Sequence, residues 1–166
     1  MATYETSPIE LLSQQHREVE DLFAAYEEAS SPADKLEVFE TIADKLAVHG
    51  RIEEELFYPA VQERKTEGMV LEAFGEHQEI KKSLAALLDT DPQGAGFDEG
   101  MRRLKEQVER HVEEEEVELF TAAEDVLSSE DMSSLAEAMA EMAAELEGTE
   151  PRREIPDEVG PSAPIA

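Results

Sequence analysis

The chain has 166 residues with a formal charge of −28, four His, and neither Cys nor Trp. Its length suits one domain with room for a buried core. The missing Cys removes disulfides, thiolate ligands and Cys nucleophiles, and the charge repels phosphates, arguing against nucleic acid and anionic membrane surfaces as partners. The opening "MATYETSPIE" carries no basic region and no apolar stretch of the signal-peptide kind, and no later run reaches the length of a membrane span. A cytoplasmic protein is expected.

Leu, Ala, Glu and Met dominate, which favours helices over sheet. "SPIE" at 7–10 has the form of a helix start: Ser7 as cap, Pro8 at the first helical position, Glu10 reaching back. Leu12, Val19, Phe23 and Tyr26 then recur at helical spacing to about residue 29. "SSPAD" repeats the signal with Ser31 and Pro32, and a long helix follows through Leu36, Phe39, Ile42, Leu46, Ile52 and Leu56 to about 64, with Pro59 placed to kink its last turns. After "KTEGM" a third helix is expected over 69–89, burying Val70, Phe74, Ile80, Leu84 and Leu87.

"DTDPQGAG" is a turn-rich loop. A fourth helix is expected over 97–127, through Leu104, Val108, Leu119 and Val126. Short loops between long amphipathic helices make antiparallel neighbours, so the predicted fold is all-α: an up-down-up-down four-helix bundle over 1–128. An additional C-terminal helix over 129–147 follows. Its stripe of Met132, Met139 and Met142 is suited to capping the bundle or to a dimer contact, giving a monomer or weak dimer. The acidic, Pro-rich end at 148–166 reads as a disordered tail.

Each of the first four helices carries one histidine, and each histidine lies on its helix's apolar stripe: His16, His49, His77 and His111. A single histidine in such a place is ordinarily a hydrogen-bonded core residue. Four, one per helix, form a pattern. At a rise of about 1.5 Å per residue, His16 and His49 lie roughly 20 and 25 Å from the turn that joins their helices, and the other connections give comparable depths. All four rings therefore fall near one level of the bundle.

Two of them stand four residues ahead of a glutamate, in "HGRIEEELF" and "HVEEEEVELF". The i, i+4 spacing puts Glu53 beside His49 and Glu115 beside His111 on one helix face. A buried carboxylate needs a proton, a base or a metal, and imidazole with carboxylate is a donor set for iron or manganese, with zinc open as well. Neighbouring glutamates such as Glu54, Glu55, Glu113 and Glu114 are expected to face solvent. Six ligands exceed one ordinary site; two ions sharing two carboxylates use the set economically. The Glu-x-x-His motifs of ferritin-like di-iron proteins are absent, since Ser13, Leu46, Phe74 and Val108 precede the histidines by three.

The order His16, His49-x-x-x-Glu53, His77, His111-x-x-x-Glu115, in the segments "LLSQQHREVEDLF", "HGRIEEELFYPA", "EHQEIKKSL" and "HVEEEEVELF", resembles the hemerythrin-like (HHE cation-binding) family over residues 8–127. The resemblance implies a non-haem di-iron centre with an oxo- or hydroxo-bridge. It implies that His16 and His49 bind one iron, His77 and His111 the other, and that Glu53 and Glu115 bridge. Oxygen carriers of the family have a further His on the third helix, at the position of Ala73 here, and an Asp at the register of Glu116. Tyr26 and Glu116 are therefore candidate additional ligands, and oxygen carriage gives way to chemistry with O2 or peroxide, catalase-like or oxidase-like. The alternatives are non-catalytic binding, sensing or storage of O2, NO or iron, and a metal-free helical module.

Overall fold

A computed structural model describes residues 7–159. It is all-helical, with no strand among the described residues. Four long rods form the bundle. The first is α1 (Pro8–Glu28), and the second runs through α2 (Pro32–Ile52), a wide π turn (Glu53–Phe57) and α3 (Tyr58–Val61). The third is α4 (Glu67–Leu88). The fourth runs through α5 (Ala95–Glu114), a second π turn (Glu115–Leu119) and α6 (Phe120–Val126). The antiparallel pairs α1–α2 and α4–α5 pack along their lengths.

The expected start signals are built. Ser7 Oγ accepts from Glu10 N at 3.0 Å and Ser31 Oγ from Asp34 N at 3.1 Å, each with Pro in the first turn, where the missing N–H leaves no bond unmade. Two apolar clusters fill the interior on either side of the histidine level. One gathers Val19, Phe23, Phe39, Ile42, Ile80, Leu84, Phe97 and Leu104; the other gathers Leu12, Ile52, Phe57, Val61, Val70, Leu119 and Phe120. Capped by Ser128, α7 (Ser129–Leu146) lies across α1 and α2. It adds Met139, fully buried, and the partly buried Leu135 and Met142 to the second cluster, so the methionine stripe caps the bundle.

The reading of 148–166 as a disordered tail is corrected over its first part. A 3-10 turn (Pro151–Glu154) leads into α8 (Ile155–Val159), which packs on α4. Three anchors account for the order. Pro151 and Ile155 are buried, and Arg152 grips Asp44 of α2 through its backbone N–H (3.0 Å) and guanidinium (2.7 Å). Residues 160–166 lie outside the described residues.

Both π turns begin at a glutamate of the predicted pair. Tyr58 N–H bonds to Glu53 O, and Phe120 N–H to Glu115 O, each five residues back. Pro59 has no N–H for the carbonyl of residue 55, which explains why the second rod widens rather than continuing in α geometry. The fourth rod has no proline there and widens at the equivalent carboxylate. These turns rotate the residues that follow, with consequences for the site.

Candidate metal centre

The bundle brings His16, His49, Glu53, His77, His111 and Glu115 together at one level, none more than 6% exposed. They form two overlapping groups, His16–His49–Glu53–Glu115 and Glu53–His77–His111–Glu115, with the carboxylates common to both. All four Nε2 atoms face inward. His16 Nε2 is 3.2 Å from His49 Nε2, and His77 Nε2 is 3.1 Å from His111 Nε2. Glu53 Oε1 lies 3.2 Å from His49 Nε2 and 3.0 Å from His77 Nε2. Glu115 spans the pair: Oε1 is 3.2 Å from His16 Nε2, and Oε2 is 3.5 Å from His111 Nε2.

These separations suit donors on a common cation. For bonds of about 2.1 Å, adjacent donors stand about 3.0 Å apart in an octahedral shell and about 3.4 Å apart in a tetrahedral one. The observed values, 3.0–3.5 Å, span both. Two buried carboxylate oxygens, Glu53 Oε2 and Glu115 Oε1, have no hydrogen-bond partner among the described residues; the 3.2 Å approach of Glu115 Oε1 to His16 lacks hydrogen-bonding geometry. Unpaired buried carboxylate oxygens are costly, and a bound cation would offset that cost. The donor set fits metal.

Outward-facing Nδ1 atoms explain how the rings are held. His16 Nδ1 bonds to Glu116 Oε2 (2.7 Å), His77 Nδ1 to Glu54 Oε2 (2.7 Å), His111 Nδ1 to Glu76 Oε1 (2.6 Å), and His49 Nδ1 to Gln15 Oε1 (2.6 Å). An acceptor there fixes the proton on Nδ1 and leaves the Nε2 lone pair for a cation. Glu116, proposed from sequence as a possible ligand, thus orients His16, and Arg17 holds it from outside at 2.8 Å. Glu54, expected to face solvent, bonds to His77 and to Lys81 (3.1 Å).

Tyr26 is not at this site. Its hydroxyl bonds to Asp98, near Lys35, where α1 meets the start of α5. The tyrosine at the centre is Tyr58, fully buried, its hydroxyl 2.6 Å from Glu115 Oε2, 3.0 Å from Glu53 Oε1 and 3.1 Å from His77 Nε2. The π turn aims it there. In an α-helix, residue 58 would sit about 140° around the wheel from residue 53, whereas an i to i+5 turn stacks the two. Ala73, where oxygen carriers have another imidazole, is buried beside the pocket containing Glu115 and His111 and brings no donor.

Burial and charge oppose each other here. Burial raises the Glu53 carboxyl, but His49, His111 and His77 outweigh it and hold the group well below its usual range. For Glu115 burial and the adjacent Glu53 win, pushing it up to about 7. Burial lowers every imidazole. Glutamates overcome it for His16, His77 and, most strongly, His111, leaving them above the ordinary value. His49, with an amide behind it, stays lowered. Burial and the Glu53 and Glu115 charges raise the Tyr58 hydroxyl well above the usual phenol, so it keeps its proton. Outside the centre, Glu72, Glu76 and Glu114 cluster, and contact with Glu76 pushes Glu114 up to about 7.

Comparison with known proteins agrees with this geometry. A "DNA nickase" of Nostoc is 32% identical over 121 residues, which are 73% of this chain but only 34% of that protein, so the chain spans about a third of that relative's length. Rv2633c of Mycobacterium tuberculosis is 26% identical over 113 residues, covering 68% of this chain and 69% of that one. The crystal structure of a hemerythrin HHE cation binding domain-containing protein, the Rv2633c homolog from Mycobacterium kansasii, superposes with a TM-score of 0.78 at 26% identity, covering 86% and 88% of the two chains. The Hemerythrin HHE cation binding domain itself matches residues 7–123, the stretch that supplies all four histidines and both central glutamates, and the chain belongs to that family.

Proposed function

We propose that the chain is a cytoplasmic di-iron protein that reacts with O2 or peroxide. His16 and His49 hold one ion, His77 and His111 the other, with Glu53 and Glu115 shared. The observation that carries this reading is the convergence of four inward Nε2 atoms on two carboxylates whose remaining oxygens are unpaired. Imidazole–carboxylate shells suit iron. When bound, an iron pair supplies one-electron redox chemistry toward oxygen species.

The chain's own residues support reaction over simple carriage. Tyr58 keeps a proton 2.6 Å from Glu115 Oε2, where a reacting oxygen species needs one; general acid groups act within this reach. The Nδ1 acceptors lock the rings, and the apolar clusters keep bulk water from the centre. Ala73 brings no donor where the oxygen carriers bring a fifth histidine, which leaves room for a reactant. The activity in the name of the cyanobacterial relative is not carried across: a charge of −28 repels the DNA backbone.

The deciding experiment follows peroxide consumption and O2 evolution by the iron-loaded protein beside its Tyr58→Phe variant. Turnover that falls at least tenfold in the variant, at equal iron content, supports the reading. Stable binding of NO or O2 without turnover in either protein would favour the second reading, a binding or sensing role, which the small cavity beside the histidines supports.

A further inference from the structure

A cavity of about 40 Å³ lies against His16, His49, His77 and His111. Its other walls are largely apolar, among them Val19, Leu46, Ile80, Leu84 and Val108 from the four rods, with Gln15 and Lys81 as polar members. The remaining wall comes from the C-terminal segment: Ile155, 1% exposed, and Glu158. A water molecule needs roughly 10–15 Å³ measured in this way, so the cavity accommodates a molecule of two or three heavy atoms.

Two fastenings hold that wall. Arg152 docks on Asp44 through two hydrogen bonds of 3.0 and 2.7 Å. Lys81 lies between Glu158 (3.1 Å) and Glu54 (3.1 Å), and Glu54 accepts from His77 Nδ1 at 2.7 Å. The segment is therefore tied both to the bundle and to the groups that orient a central histidine. At the rim the Glu158 carboxylate offsets the Lys81 ammonium that lines the same cavity, in a chain whose overall charge already repels anions.

We infer that residues 151–159 form a stopper whose Ile155 and Glu158 complete an apolar chamber against the four imidazoles, admitting small uncharged molecules and excluding anions. Ile155 sets the size limit by filling the wall; Glu158 sets the charge limit. An anion would lose its hydration among apolar side chains and meet a like charge on the way in. A neutral diatomic meets neither obstacle. The ligand choice rests on the proposed iron centre; the stopper itself does not.

Two measurements separate these. In the metal-free protein, carbethoxylation of the histidines by diethylpyrocarbonate is followed for the unaltered chain, Ile155→Asp and Arg152→Ala, with helix content checked by circular dichroism. Undocking predicts histidine modification at least tenfold faster in Ile155→Asp, with Arg152→Ala in between. Equal rates in all three folded proteins would overturn the stopper. Should Ile155→Asp fail to fold, Arg152→Ala decides alone.

In the iron-loaded protein, association of NO and of azide is then followed spectroscopically. Azide is expected to bind at least tenfold faster to Glu158→Gln and to Ile155→Ala than to the unaltered chain, with NO changed by less than threefold. Azide rates that do not move would overturn the charge and size selection. Failure of the unaltered protein to load iron would count against the proposed centre, while the metal-free experiment still decides the stopper.

Discussion

The two halves of the centre share their carboxylates but are not equivalent. His77 and His111 each have a glutamate behind Nδ1, and His77 also has the Tyr58 hydroxyl at 3.1 Å, whereas His16 has a glutamate and His49 only the amide of Gln15. An anion behind an imidazole makes it a stronger donor; a neutral amide orients the ring without adding charge. Burial, with the neighbouring His16 and His77 charges, also holds His49 alone among the four below its ordinary value. The same shell of two His and two Glu can therefore bind with two affinities. The His77–His111 side is expected to fill first and to release its ion last.

The largest disruption of this arrangement comes from Glu53, which contacts histidines of both halves. A four-ligand zinc site worth about 10–16 kcal/mol implies roughly 3 kcal/mol per donor, or about a hundredfold in affinity. Losing a donor common to two ions doubles that in free energy. Glu53→Ala should accordingly lower affinity by about a hundredfold for each iron, and by roughly ten-thousandfold for the pair together, measured by anaerobic titration. Tyr58→Phe should come next. It strips Glu115 Oε2 of its 2.6 Å donor, which costs the metal-free fold about 1–3 kcal/mol, read as a lower Tm.

Changing the outer acceptors tests the asymmetry itself. Gln15→Glu should strengthen the His16–His49 site and Glu54→Gln should weaken the His77–His111 site, each by about tenfold to a hundredfold. The double variant should reverse the filling order. Competitive titration with a spectroscopic cation such as Co(II) resolves the two steps. A single unsplit step in every variant would contradict the inequivalence.

A gentler probe is pH. In the metal-free chain, the glutamates hold His111 well above 6.5 despite its burial. Its proton therefore stabilises the fold below about pH 6.5, and that contribution is lost as pH rises through the higher folded value. Glu115 acts in the same sense, because the folded group, pushed up to about 7 from 4.5, binds a proton that the unfolded group has released. His49, lowered by burial, has its full effect once pH exceeds 6.5 and adds no slope above it. The metal-free Tm should fall between about pH 6.5 and 8, while the gain on metal binding grows over the same interval as fewer protons must be displaced. The smallest effect is expected at Tyr26: Tyr26→Phe removes a hydrogen bond to Asp98, costing about 0.5–1.5 kcal/mol and leaving metal content unchanged.

How far sequence carried the account follows from the same geometry. The histidines and Glu53 and Glu115 were legible because each sits on an apolar stripe, and helical rise converts loop positions into depth. Gln15, Glu54 and Glu76 were not, because each bonds to a histidine of another helix, and inter-helix register is written in packing rather than in spacing. Glu116 was singled out, yet its role changed: the π turn starts at Glu115, which takes the central position while its neighbour turns to His16. Tyr58, unlike the expected Tyr26, is hidden from spacing because α-helical periodicity points residue 58 away; Pro59 beside it is the available signal of a widened turn. The folded segment at 151–159 was hidden by composition, since its hold depends on three residues, Pro151, Arg152 and Ile155, within a charged, proline-rich stretch.

The central claim is that six side chains from four rods hold two cations. A crystal structure of the iron-loaded protein with anomalous diffraction at the iron edge addresses it directly. The account predicts two peaks, one between His16 and His49 and one between His77 and His111, with Glu53 and Glu115 reaching both. A single peak, a peak away from these residues, or none at saturating iron would contradict it.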